Sequence, residues 1–257
     1  MTTLPETREL GITLAGHVAI VEVRRPPNNF LDTELITQLV NGFVALASTP
    51  CRCIVLASAG KHFSAGAQQP LGGGPELQRH DNLYDVACSL FEQRLPIVAA
   101  VQGAAIGGGL GLALAADFRI ATPESRFAAN FAQLGFHHGF GLTVTLPLVM
   151  GHQASLDLLY TGRRITGENA LVMGLVDRLV SQDHLRSAAV GWAEEIAQSA
   201  PLAVDAIRQT MRGHLAAQVR QSMQHERSEQ LRLRATADWT EGVAAMQARR
   251  SPNFEGR

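Results

Sequence analysis

Lysine occurs once in this 257-residue chain, at Lys61, although arginine is plentiful. With a formal net charge of −1 there is no broad cationic field to gather nucleic acid. A phosphate-bearing ligand would have to be met mostly by arginine or by backbone N–H. Cysteine is scarce too. Cys51, Cys53 and Cys88 are odd in number, and Cys-x-Cys is tighter than the usual zinc-pair spacing, so reduced thiols in a cytoplasm are expected. Long apolar runs are missing: Gly, Arg, Asp or Pro interrupts each before about 18 residues, and MTTLPETREL has no basic and apolar signal pattern. Neither a membrane span nor export is expected.

A hydrophobic content of 46% against 18% charged residues provides for one sizeable core, or for a domain with a helical appendage. Leu10 to Leu14 and His17 to Val23 are β-like, and the turn-rich RPPNN leads into a helix expected from Asp32 to about Ser48. Cys51 to Ala57 and Pro96 to Val101 have the pattern of buried strands, with a further strand at Asp117 to Ala121. Between them lie the irregular GKHFSAGAQQPLGGGPE, a helix expected around Pro75 to Arg94, and a helix after the glycines near position 107. This alternation implies parallel strands joined by helices, an α/β fold. From Gly151 to Arg250 the chain reads as mostly helical, interrupted near Leu175 to Val180.

In AAIGGGLGLAL four glycines fall in five positions at the mouth of a helix. Bare backbone there lets a ligand approach the unsatisfied N–H groups of the helix N-terminus, which suits an anion or a polarised oxygen. The phosphate fingerprints do not fit, because GxxxxGK[ST] is absent and Leu112 stands where GxGxxG from Gly107 would need its last glycine.

IVLASAGKHFSAGA, followed about forty residues later by PIVAAVQGAAIGGGLGLALAADFRIA, resembles the enoyl-CoA hydratase/isomerase, or crotonase, superfamily. RPPNNFLD, LYTGRRITGENALVMGLVDRLV and RSPNFEGR carry the resemblance over nearly the whole chain. It implies a crotonase-like spiral of ββα units over residues 1–180 and a C-terminal helical oligomerisation region over 181–257, assembled as a homotrimer or a hexamer built as a dimer of trimers. The substrate it implies is a coenzyme A thioester, with no permanently bound cofactor and no metal. The resemblance assigns the backbone N–H groups of Ala67 and Gly108 to an oxyanion hole for the thioester carbonyl, with Ala65, Gly66, Gly107, Gly111 and Phe131 against the substrate. Two such donors stabilise an enolate by a few kcal/mol, the order measured for single oxyanion donors.

The chain departs from the family at both hydratase glutamates, where it has Gly111 and Phe131, and no Asp or Glu lies between Ser125 and Leu156. General acid and base on one water then need other groups. His137 and His138 in LGFHHGFGLT are candidates, since imidazole titrates near neutrality, and Gly139 matches the family position whose N–H can hold water. His80, Asp81, Tyr84 and Asp85 could enter from the variable helix, and Gln68 stands where the family often has Asp. Asp117 is assigned to structure. His225-Glu226 does not complete HExxH, because Glu229 occupies the place of the second histidine, and Ser64 lacks the G-x-S-x-G elbow. Arg24 and Arg25 are candidates for phosphate or pantetheine contacts, and RSPNFEGR is expected near the nucleotide. Trp239, Val243 and Met246 form a helical stripe expected to cover the core. An acyl-CoA enzyme is the expectation. A non-catalytic acyl-CoA binder and another enolate reaction (thioester hydrolysis, decarboxylation or C–C cleavage) stay open.

Overall fold

The antiparallel hairpin of β1 (Leu10–Ala15) and β2 (Val18–Val23) turns at Gly16 and opens a six-stranded sheet. The structure is a computed structural model, describing residues 7–67 and 83–257. β3 (Cys53–Ser58), β4 (Ile97–Val101), β6 (Phe118–Ala121) and β9 (Arg178–Leu179) follow in the order β1-β2-β3-β4-β6-β9, parallel from β2 onward. Every residue of β3 and β4 is buried, as expected of central parallel strands covered on both faces.

A second sheet, ordered β5-β7-β8, contains β5 (Ala104–Ile106), β7 (Arg126–Ala128) and β8 (Ile165–Thr166). Two or three residues are too few to show a period of two, which is why the sequence did not separate these strands. The chain places β4 in the large sheet and β5 in the small one before helix α2 (Gly108–Ala115). It then repeats the step with β6 and β7, which is the expected ββα spiral of an α/β fold.

Helix α1 (Thr33–Leu46) starts where Asp32 accepts from the Leu35 N–H at 2.8 Å, and it buries Leu35, Leu39, Phe43 and Leu46 against one face of the sheet. On the other face, α6 (Leu185–Ala197) lays Leu185, Ala189, Ala193 and Ala197 over Val55, Val98 and Ile120. Small residues every four positions let this helix lie close to the strands.

The remaining helices are α3 (Leu142–Met150), α4 (His152–Thr161), α5 (Gly167–Val172), α7 (Pro201–Arg212), α8 (Leu215–Arg234) and α9 (Ala237–Gln247). Leu215, Val219, Met223, Trp239 and Val243 join the same core cluster as α1 and β4. The Trp239 and Val243 positions thus cover the core as expected, and Met246 is half-exposed. Of the helix expected at 75–94, residues 83–87 are helical and Cys88–Glu92 tighten to a 3-10 turn, while 75–82 lie outside the described residues.

Candidate active site

Two loops are stitched to one another by the small sheet. Ser64 donates its N–H to the Ala104 carbonyl (2.9 Å) and accepts from the Ile106 N–H (3.0 Å), while Leu31 N–H reaches the Gly66 carbonyl (2.9 Å). The Ser64 hydroxyl donates to the Asn29 carbonyl at 2.9 Å and accepts from the Gly66 N–H at 3.1 Å, a structural role. In the second loop the Gly107 N–H donates to the Ala128 carbonyl at 2.9 Å. Gly107 has φ +55°, a conformation glycine adopts without steric penalty.

Gly66 and Gly107 thus spend their own N–H groups on the scaffold, and the residue after each comes to the surface of the cavity. Ala67 and Gly108 are partly exposed, and a Cβ placed on Gly108 would lie 3.8 Å from the Ala67 nitrogen. Gly108 is the first residue of α2, so its amide belongs to the positive end of the helix dipole.

Both residues line a cavity of about 730 Å³. Its lining includes the buried apolar side chains of Leu83, Phe131, Leu134, Phe136 and Phe140, with Tyr84 and Asn130 as their polar chain neighbours. Its exposed rim carries Lys61, Glu124, Arg126, Arg164 and Gln182, together with half-buried His62. Burial and the neighbouring Lys61 charge hold the His62 pKa below its ordinary value, keeping that imidazole neutral near pH 7.

The missing glutamates leave a filled wall. A Cβ on Gly111 would come within 2.6 Å of Phe140 Cβ and Cδ1, so the Phe140 ring occupies the space in front of α2. Gly111 is therefore packed beneath Phe140 and, contrary to expectation, is not among the residues lining the cavity. Phe131 does line it, its ring edge 3.6 Å from the Cβ position of Gly107. Phe140 itself sits at φ +62°, an uncommon conformation for a bulky residue.

What holds Phe140 there is a buried carboxylate on α8. Glu226, fully buried, accepts from the Gly141 N–H (2.9 Å), the Thr143 N–H (3.0 Å) and the Thr143 hydroxyl (2.6 Å), capping the start of α3. Burial pushes its pKa up, against these three donors, which favour the ionised form. The Thr143 proton is directed at Glu226, so Thr143 Oγ1 accepts from His138 Nε2 at 2.8 Å. His137 Nδ1 correspondingly donates to the His138 carbonyl at 2.7 Å.

The two histidines therefore belong to this support. Their rings stack at 4.1 Å, and His225 meets His137 edge-on at 5.9 Å. Neither lines the cavity, and burial together with the His137 and His225 charges lowers the His138 pKa to about 3. Their expected acid/base role finds no geometry here. Gly139 also lies off the cavity, where any side chain would overlap the Tyr84 hydroxyl. Tyr84 donates to Gln230 Oε1 (3.0 Å), and Gln230 Nε2 donates to the His137 carbonyl (2.9 Å).

Arg24 and Arg25 are likewise not at the cavity. Arg24 pairs with Glu22 at 3.0 Å, and Arg25 bridges Glu9 and Asp32, tying the residue before β1 to the start of α1. The terminal RSPNFEGR folds onto the beginning of α9, where Asp238 accepts from Glu255 and Gly256 N–H and Glu241 accepts from Asn253 N–H. Ala65, Gly66 and Gly107 line the cavity. Asp85 pairs with Arg227 at the surface, and Gln68, His80 and Asp81 lie outside the described residues.

The sequence did not single out Asn130, Arg126 or Arg164. Asn130 precedes a position expected to carry a carboxylate, the one available signal; the arginines look like any others until the small sheet gathers them. No group of three or more potential metal ligands occurs among the described residues, and no described helix is long and apolar enough to cross a membrane.

Residues 13–257 match the family model for enoyl-CoA hydratase/isomerase. A carnitinyl-CoA dehydratase from Salmonella arizonae is 32% identical over 97% of this chain and 99% of its own length, and one from Proteus mirabilis is 31% identical over 98% and 100%. The crystal structure of an enoyl-CoA hydratase/isomerase from Pseudoalteromonas atlantica superimposes with a TM-score of 0.83 at 30% identity, covering 96% of this chain and all of that one. The two interlocked glycine loops and the match over nearly the whole length agree, and the chain belongs to the enoyl-CoA hydratase/isomerase family of acyl-CoA enzymes.

Proposed function

We propose that the protein transforms an acyl-CoA by stabilising the enolate of its thioester between the Ala67 and Gly108 N–H groups. The observation that carries this reading is the juxtaposition of those two residues in one cavity, the Cβ position of Gly108 lying 3.8 Å from the Ala67 nitrogen, with buried aromatic side chains in the same lining. Negative charge developing on the thioester oxygen meets two fixed dipoles and the N-terminus of α2, so stabilisation needs no reorganisation when the bond changes occur. Coenzyme A enters as the thioester part of the substrate, with Lys61, Arg126 and Arg164 at the rim as partners for its phosphates in place of Arg24 and Arg25.

Phe131 and the Phe140 ring over Gly111 argue against the water chemistry of paired carboxylates. The relatives named dehydratases keep removal of water in contention by a different proton route. A non-catalytic acyl-CoA binder is the second reading, favoured by the same two filled positions. A mass-spectrometric product screen with crotonyl-CoA, 3-hydroxybutyryl-CoA and longer esters separates them. A product differing by one water establishes hydration or dehydration, while loss of CO2 or of an acyl fragment establishes another enolate reaction. Tight binding with every ester returned unchanged both in mass and in chromatographic retention, which reports double-bond isomerisation, refutes catalysis, and loss of neither binding nor turnover in Gly108→Pro refutes the oxyanion assignment.

The chain's assembly as a trimer or dimer of trimers is part of the same reading. Large apolar side chains stand exposed on α3 to α5 (Leu148, Tyr160, Val172) and on α7 (Leu202, Ile207, Met211), which supports burial against further copies.

A further inference from the structure

Beside the buried aromatic side chains of the cavity stands a polar side chain that is not engaged elsewhere among the described residues. Asn130 lines the cavity between β7 and the turn at Ala132–Leu134, and its amide makes no hydrogen bond among the described residues. Its Oδ1 lies 3.6 Å from the Cβ position of Gly107, one residue from the Gly108 donor. A carboxamide offers two donors and two acceptor lone pairs, and leaving them unmatched beside a bound apolar chain carries a desolvation penalty.

The backbone beneath Asn130 is fixed on two sides. The Gly107 N–H bond to the Ala128 carbonyl anchors the end of β7 to the glycine loop. Across from it, the Cβ position of Gly162 is 3.1 Å from Asn130 Cα, a tight approach, and Gly162 sits at φ +59°, a conformation glycine adopts without steric penalty. Asn130 is thereby held next to the oxyanion loop, with the Phe131 ring beside it.

We infer that Asn130 is a specificity-determining residue whose amide hydrogen-bonds an oxygen carried on the acyl chain beyond the thioester carbonyl, so that the site selects oxygenated acyl groups over plain alkyl ones. This rests on the acyl-CoA reading. Because a carboxamide does not titrate, the selection is independent of pH across the range in which a glutamate would change charge.

The test is calorimetric binding of butyryl-CoA, 3-hydroxybutyryl-CoA and acetoacetyl-CoA to the full chain and to Asn130→Ala and Asn130→Leu. The unmodified protein should bind at least one oxygenated ester roughly three- to tenfold more tightly than butyryl-CoA, the range of one net hydrogen bond. In both variants that ratio should fall to about one, and repeating the titration at pH 5 and pH 8 should leave the wild-type ratio in place. Butyryl-CoA binding reports that each variant is folded. Equal binding of all three esters by the wild type, or a ratio that survives in Asn130→Leu, overturns the inference alone. Failure of every ester to bind the wild type overturns the acyl-CoA reading, and this inference with it.

Discussion

Gly111 and Phe140 show how a missing side chain can be a packing decision. An added Cβ would approach Phe140 within 2.6 Å, so Gly111→Ala overpacks a fully buried contact, with an expected loss of about 1–3 kcal/mol. Thermal unfolding should show a midpoint lowered by roughly 2–4 °C per kcal/mol. The double variant with Phe140→Ala should recover part of that loss as a coupling energy; strict additivity of the two changes would contradict direct contact. The sequence exposes the departure at position 111 but not its cause, since Phe140 is brought there by a backbone conformation with no sequence signature. The same limit explains His137 and His138. Residue type and neighbourhood suggested proton transfer, whereas the hydrogen bonds to Thr143 and the His138 carbonyl turn both rings away to support the loop.

Among the elements, α8 has a role its composition conceals. It reads as a charged helix, yet Glu226 and Gln230 are its buried polar residues, one turn apart on one face. Glu226 caps α3 and thereby sets Phe140, while Gln230 fixes Tyr84. Glu226→Ala strands the Gly141 and Thr143 donors and should cost about 2–4 kcal/mol. Acyl-CoA affinity should weaken as well, because the apolar wall loses its anchor. Unchanged affinity alongside lowered stability would restrict α8 to a scaffolding role. The longer elements were legible from periodicity and capping, as α1 with its Asp32 cap illustrates. The short strands of the second sheet were not, and they are what bring the two glycine loops together.

At the scale of the molecule, the α/β class and the two glycine loops could be read from motifs, while the cavity's lining depended on long-range neighbours. Arg126 and Arg164 approach the rim only through the pairing of β7 with β8. The exposed apolar residues of α3 to α5 and α7 lead to one expectation: light scattering should give three or six times the 27.6 kDa chain mass, and a monomeric mass at micromolar concentration would contradict it. The solitary lysine has a practical corollary. Lys61 is exposed at the rim of the cavity and, apart from the terminal α-amino group, is the protein's one aliphatic amine. An amine-directed fluorophore therefore becomes a nearly site-specific reporter of the entrance, readable without altering a single codon.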